Sequence, residues 1–216
     1  HVAPHTARIA ALWAVMTRLK RPREEHFPRE VGRVYAKLSP LQKAKLYDHR
    51  ETSDELSDEE RKLALSHLDK LRDEYNDAEE EFEGMVEPAY EGRRGASARE
   101  MLTLLSDAAS EVHRSCLSPL AFLDTLRKLV RETSVYDFLR LPPNGPYHNQ
   151  DALRELVLEE YRRIVVEEVR SAVGMVDESE YLRLFNDYFA HVKAYARGEK
   201  LRNKSTGYLV DPAESL

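Results

Sequence analysis

Apolar residues in this chain recur three and four positions apart, stretch after stretch, and Val/Ile-rich alternating runs are missing. A spacing of threes and fours places side chains along one stripe of a helix, whereas a half-buried strand needs alternation with a period of two. The chain is therefore expected to be all-α, a multi-helix bundle whose helices each bury one stripe and solvate the other face. Composition agrees, with 42% hydrophobic and 33% charged residues and only 8 glycines among 216.

The individual helices can be placed from their stripes and caps. Ile9, Leu12, Trp13, Met16 and Leu19 define a helix over about 4–20, with Pro4 in the first turn, where its missing N–H is harmless. Residues 21–28 are charged and bracketed by Pro22 and Pro28, so they read as a loop. Ser39 caps a short helix from Pro40 to about residue 48. The strongest periodic signal follows. Ser57 and Glu60 form a capping-box pattern, and Ala64, Leu68, Leu71, Tyr75, Ala78 and Phe82 then repeat in alternating fours and threes. That seam predicts one long helix stopped by Gly84, suited to half of a projecting hairpin.

After a turn-rich break at 88–95, Ser97 opens a helix with Met101, Leu104, Leu105, Ala108 and Val112 inside. Ser118-Pro119 opens another, with Leu120, Leu123, Leu126 and Leu129. The Pro-Pro-Asn-Gly-Pro run at 142–146 cannot be helical, and a subdomain boundary is placed there. Helices over about 151–173, stopped by Gly174, and from Asp177 with Glu180, carrying Tyr181, Leu184, Tyr188, Val192 and Tyr195, complete the bundle.

Several function classes are disfavoured. The 33 Lys+Arg against 39 Asp+Glu give a net charge of −6, which opposes a general nucleic-acid footprint; Lys20, Arg21 and Arg23 form a small basic cluster. The single cysteine, Cys116, fits a reducing cytoplasm, and no apolar run approaches a membrane span. The start at His1 without a signal-like segment is expected of a piece of a larger protein.

The sequence has no G-x-x-x-x-G-K-[ST] phosphate loop; Gly92-Arg93-Arg94-Gly95 is not one. Asp48-His49-Arg50 does not supply a kinase catalytic loop, and Cys116 near His113 makes no assignable nucleophile pair. His1 and His5 have metal-sharing spacing but no third ligand, and Glu79–Glu83 reads as a solvated run. No metal site is expected.

The stretch Gly95-Ala96-Ser97-Ala98-Arg99-Glu100 is the candidate site. Ser97 and Glu100 suit a capping box, and Gly95 frees the turn. Arg99 then falls in the first helical turn, where the helix dipole disfavours a cation by up to ~1 kcal/mol. An arginine beside free backbone N–H groups suits an anion such as a nucleotide phosphate.

Gly95 through Arg99, followed by an apolar helix and Ser118-Pro119-Leu120, resembles the sensor-2 region of AAA+ ATPase lids. The segments His1-Val2-Ala3-Pro4-His5-Thr6 through Leu19-Lys20, Lys43 through Asp48, Tyr188 through Tyr195, Lys200-Leu201-Arg202 and Thr206-Gly207 are similar to the PrkA family of bacterial serine protein kinases.

The resemblance implies an AAA+ lid-like helical region over 1–140 with a helical insertion at about 21–94, then a PrkA-type C-terminal helical region over 147–216. It implies ATP and Mg2+ in an upstream AAA+ core of the full-length protein, none bound to this segment, and Arg99, with Gly95 and Ser97 shaping its loop, sensing the γ-phosphate. Protein substrates or regulators are the implied partners, without nucleic acid, in a stress-linked cytoplasmic protein that forms homo-oligomers when full length. The alternative is a helical adaptor without nucleotide contact, binding through the Leu68–Phe82 seam or the Tyr181–Tyr195 face.

Overall fold

The computed structural model describes residues 1–49, 56–110, 116–174, 178–198, 200–202 and 209–210. Arg50, Val112, His113, Asp177, Thr206 and Gly207, and the side chains of Phe82, Tyr181 and Leu184, lie outside this set.

The chain is mostly helical, as its periodicity requires. In order come α1 (Thr6–Met16), α2 (Arg29–Lys37), α3 (Pro40–His49), α4 (Asp58–Ser66), α5 (Leu68–Asp73), β1 (Glu79–Phe82), β2 (Met85–Pro88), α6 (Ala98–Ser110), α7 (Pro119–Leu129), α8 (Gln150–Ala172), α9 (Glu178–Arg197), β3 (Leu201–Arg202) and β4 (Leu209–Val210). The chain divides into two compact units, His1–Arg162 and Arg163–Leu216.

Among the described residues, two groups of buried side chains contribute to the core of the first unit. Trp13 of α1 is wholly buried and meets Phe122 of α7 edge-on at 6.0 Å and Phe138 at 5.9 Å. The second cluster joins α2 to α5 through Val31, Val34, Tyr35, Leu38, Leu46, Ala64, Leu68 and Leu71. The Tyr35 hydroxyl, buried there, donates to the Ala64 carbonyl at 2.6 Å, so its polar atom is satisfied. Tyr147 carries the Pro-rich stretch inward: its hydroxyl donates to the Leu38 carbonyl at 2.8 Å.

The single long helix expected from residue 57 is corrected. The Ser57–Glu60 capping box forms as read, but the backbone breaks at His67 between α4 and α5, and helix ends at Asp73. Ala64, Leu68, Leu71 and Tyr75 are buried, so the seam marks core residues in two short helices. Residues 79–88 form an antiparallel hairpin in which Phe82 pairs with Met85. Its two turn residues, Glu83 and Gly84, have φ of 52° and 79°. That is the left-handed pair a two-residue hairpin demands, and Gly84 opens this turn where it had been expected to end a helix.

Electrostatics explains the change. A helix would stack Glu79 on Glu83 at a repulsive four-residue spacing. In the hairpin, Glu80 meets Lys20, Glu87 accepts from Arg94 at 2.5 Å, and Glu83 lies 3.1 Å from Arg140. The first helix is also shorter than expected, because the chain turns after Met16 and Thr17 and Arg18 bond to the loop at 92–96.

Candidate functional site

The loop between β2 and α6 is positioned by the end of α1. Arg18 spreads its guanidinium over two backbone carbonyls, donating to Gly92 O at 2.6 Å and to Ala96 O at 2.7 and 3.1 Å. Its planar fork allows one side chain to hold both ends of the loop. The Ala96 N–H donates to the Thr17 hydroxyl at 2.9 Å, a buried bond.

Gly95 lies where this clamp is tightest. Its φ is 129°, and a Cβ there would meet Arg18 Cγ at 2.5 Å and Arg18 Cα at 3.0 Å. Only glycine combines that backbone with that approach. The sequence indicated freedom at Gly95; the structure shows a requirement for close packing.

Ser97 and Glu100 then form the expected reciprocal cap. The Ser97 N–H donates to Glu100 Oε2 at 2.5 Å, and the Glu100 N–H donates to the Ser97 hydroxyl at 3.3 Å. Arg99 follows in the first turn of α6, exposed, and among the described residues its side chain makes no hydrogen bond or ion pair. The fold thus gathers Gly95, Ser97 and Arg99 on one pinned turn, with the arginine turned to solvent.

Behind the loop is a polar hub that sequence reasoning missed. Glu91 Oε1 accepts from the Lys43 ammonium at 2.6 Å and from the Lys20 N–H at 2.6 Å, and Oε2 accepts from the Tyr47 hydroxyl at 2.8 Å. Lys43, wholly buried, also donates to the Lys20 carbonyl at 2.8 Å. Burial pushes the Lys43 ammonium below its ordinary value, against the opposing pull of Glu91 and Glu74. Burial also raises the Tyr47 hydroxyl, reinforced by the Glu91 charge.

Beside it, Glu74 accepts from the Arg23 N–H at 2.6 Å, and burial raises its carboxyl above the usual range. One sequence signal pointed here: Pro40, Lys43, Ala44 and Tyr47 have helical spacing, which places a lysine within an inward stripe. Nothing in the sequence announced its partner, 48 residues away.

His5 takes a left-handed backbone before α1, and among the described residues no group of three His, Cys, Asp or Glu is arranged to hold a metal ion. Among the described residues no helix is long and apolar enough to cross a membrane. Leu68, Leu71 and Tyr75 are core residues, which removes them from any adaptor surface.

Comparison with known proteins gives two matches. The family described as the PrkA serine protein kinase C-terminal domain matches residues 41–216. An ATP-dependent protease PrkA of Bacillus subtilis (strain 168) is 26% identical over 216 residues, the whole of this chain and 28% of the relative. The chain thus spans well under a third of that protein's length. No solved structure matches this chain.

Proposed function

Because the chain belongs to the PrkA serine protein kinase C-terminal domain family, we propose that it supplies the nucleotide-sensing lid and C-terminal helical region of an ATP-dependent serine protein kinase of this type. ATP and Mg2+ belong to an AAA+ core upstream, and Arg99 reaches from α6 toward the γ-phosphate. The Bacillus relative is named a protease, a different reaction with the same dependence on ATP. The reading of this segment rests on the shared part.

The observation that carries the proposal is Arg99 itself, exposed and unpaired among the described residues. A cation in a first turn is opposed by the helix dipole, and an external phosphate reverses the sign of that interaction. Arg18 supports it: by fixing the carbonyls at 92 and 96 it holds the turn that aims Arg99.

The test is ATP turnover and nucleotide affinity of the full-length protein carrying this segment, wild type against Arg99→Ala, with helicity measured alongside. Lost turnover with the fold intact supports the lid. Unchanged turnover and affinity favour the adaptor without nucleotide contact.

A further inference from the structure

The second unit leaves a long apolar stripe uncovered. Phe185, Tyr188, Phe189, Val192 and Tyr195 of α9 are between 43% and 62% exposed, as far out as polar surface residues. Their spacing puts them on one side of the helix, while Ala194, on the other side, is buried and β3 returns against α9. Phe185 and Phe189 stack on each other at 6.3 Å, which presents a continuous aromatic surface. Contiguous exposed apolar surface of this kind marks an interaction site.

The order of the stripe identifies its partner. Phe185, Tyr188, Val192 and Tyr195 are spaced three, four and three apart, so the pattern reads the same from either end about residue 190. Two such helices laid antiparallel set Phe185 against Tyr195 and Tyr188 against Val192, and the same two pairs recur beyond the axis. In heptad terms the a positions of one helix meet the d positions of the other, and Phe189 faces its own counterpart.

Charge follows the same direction. Residues 178–187 carry three carboxylates and one cation, and residues 188–197 carry two cations and no carboxylate. Antiparallel pairing puts each acidic half beside a basic half, whereas parallel pairing sets like beside like. We propose that the α9 stripe is a self-complementary docking surface on which a second copy of this chain binds antiparallel about a two-fold axis near residue 190. The contact is isologous, so it closes as a pair and leaves no free stripe to propagate. It is independent of any nucleotide role for Arg99.

The test is sedimentation of the 216-residue chain across a dilution series, with Tyr188→Glu and Val192→Glu, together with disulfide trapping. All trapping proteins carry Cys116→Ser. The expected result is a concentration-dependent dimer, weakened at least about tenfold by either glutamate with helicity unchanged. A mixture of Phe185→Cys and Tyr195→Cys proteins should cross-link, and Phe185→Cys alone should not. A monomer at every concentration overturns the proposal, as does a Phe185-to-Phe185 cross-link, which requires parallel helices. A dimer untouched by both glutamates overturns it too.

Discussion

The ammonium of Lys43 lies 2.6 Å from the carboxylate of Glu91, and no part of the Lys43 side chain is open to solvent. This pair ties α3 to the loop that leads into α6. A charge in such a place is tolerated because Glu91 and the Lys20 carbonyl both accept from it.

Removing one partner strands the other. Glu91→Leu is expected to destabilise the protein by about 3–5 kcal/mol, since it leaves a buried ammonium without its counter-charge. The double variant Lys43→Met/Glu91→Leu should recover much of that loss. Denaturant unfolding of the wild type, both single variants and the double variant checks it, and a strictly additive double variant would show that the pair is not coupled.

The loop clamp makes a second prediction. Arg18→Lys keeps the charge and loses the fork, so the contacts to Gly92 and Ala96 cannot all be kept; the expected cost is about 1.5–3 kcal/mol. Amide exchange at Ala96, whose N–H donates to Thr17, should accelerate while exchange in α7 does not. Gly95→Ala should be at least as damaging, through both its φ and its contact with Arg18.

Glu74 makes the stability depend on pH in an unusual direction. Its folded carboxyl holds its proton above the ordinary 4.5, because burial outweighs the Arg23 N–H and the Lys43 charge. Between 4.5 and the raised value the folded state is protonated and the unfolded chain is not, so stability rises as pH falls through that window. Unfolding free energies of wild type and Glu74→Gln, measured from neutral pH downward, should diverge in favour of the wild type until about pH 4.5 and run parallel below it. A difference that stays constant across the series contradicts this.

Caps offer a simpler check. Ser118 accepts from the Ala121 N–H at 3.2 Å at the start of α7. Ser118→Ala should lower stability by about 1 kcal/mol in thermal unfolding.

The helices were legible wherever local chemistry decided them. Ser57, Ser97 and Ser118 cap as their spacing requires, and the stripe of Ile9, Trp13 and Met16 is buried as read. The hairpin at 79–88 was not legible, because its helical spacing was overridden by partners remote in sequence, Lys20 and Arg140. The Arg18 clamp and the Glu91 hub were hidden for the same reason, since Arg18 reaches Gly92 74 positions away and Glu91 reaches Lys43 48 positions away. The candidate turn itself was readable, because capping is a local device. What was not readable is the support that holds it still.

The most direct test of the central claim compares two nucleotides. In the full-length protein, Arg99→Ala should weaken ATP binding about tenfold or more, the worth of a charge-assisted contact to phosphate, and leave ADP affinity within about twofold. Equal affinities of wild type and variant for both nucleotides, or an equal loss for both, would contradict a sensor of the γ-phosphate at Arg99.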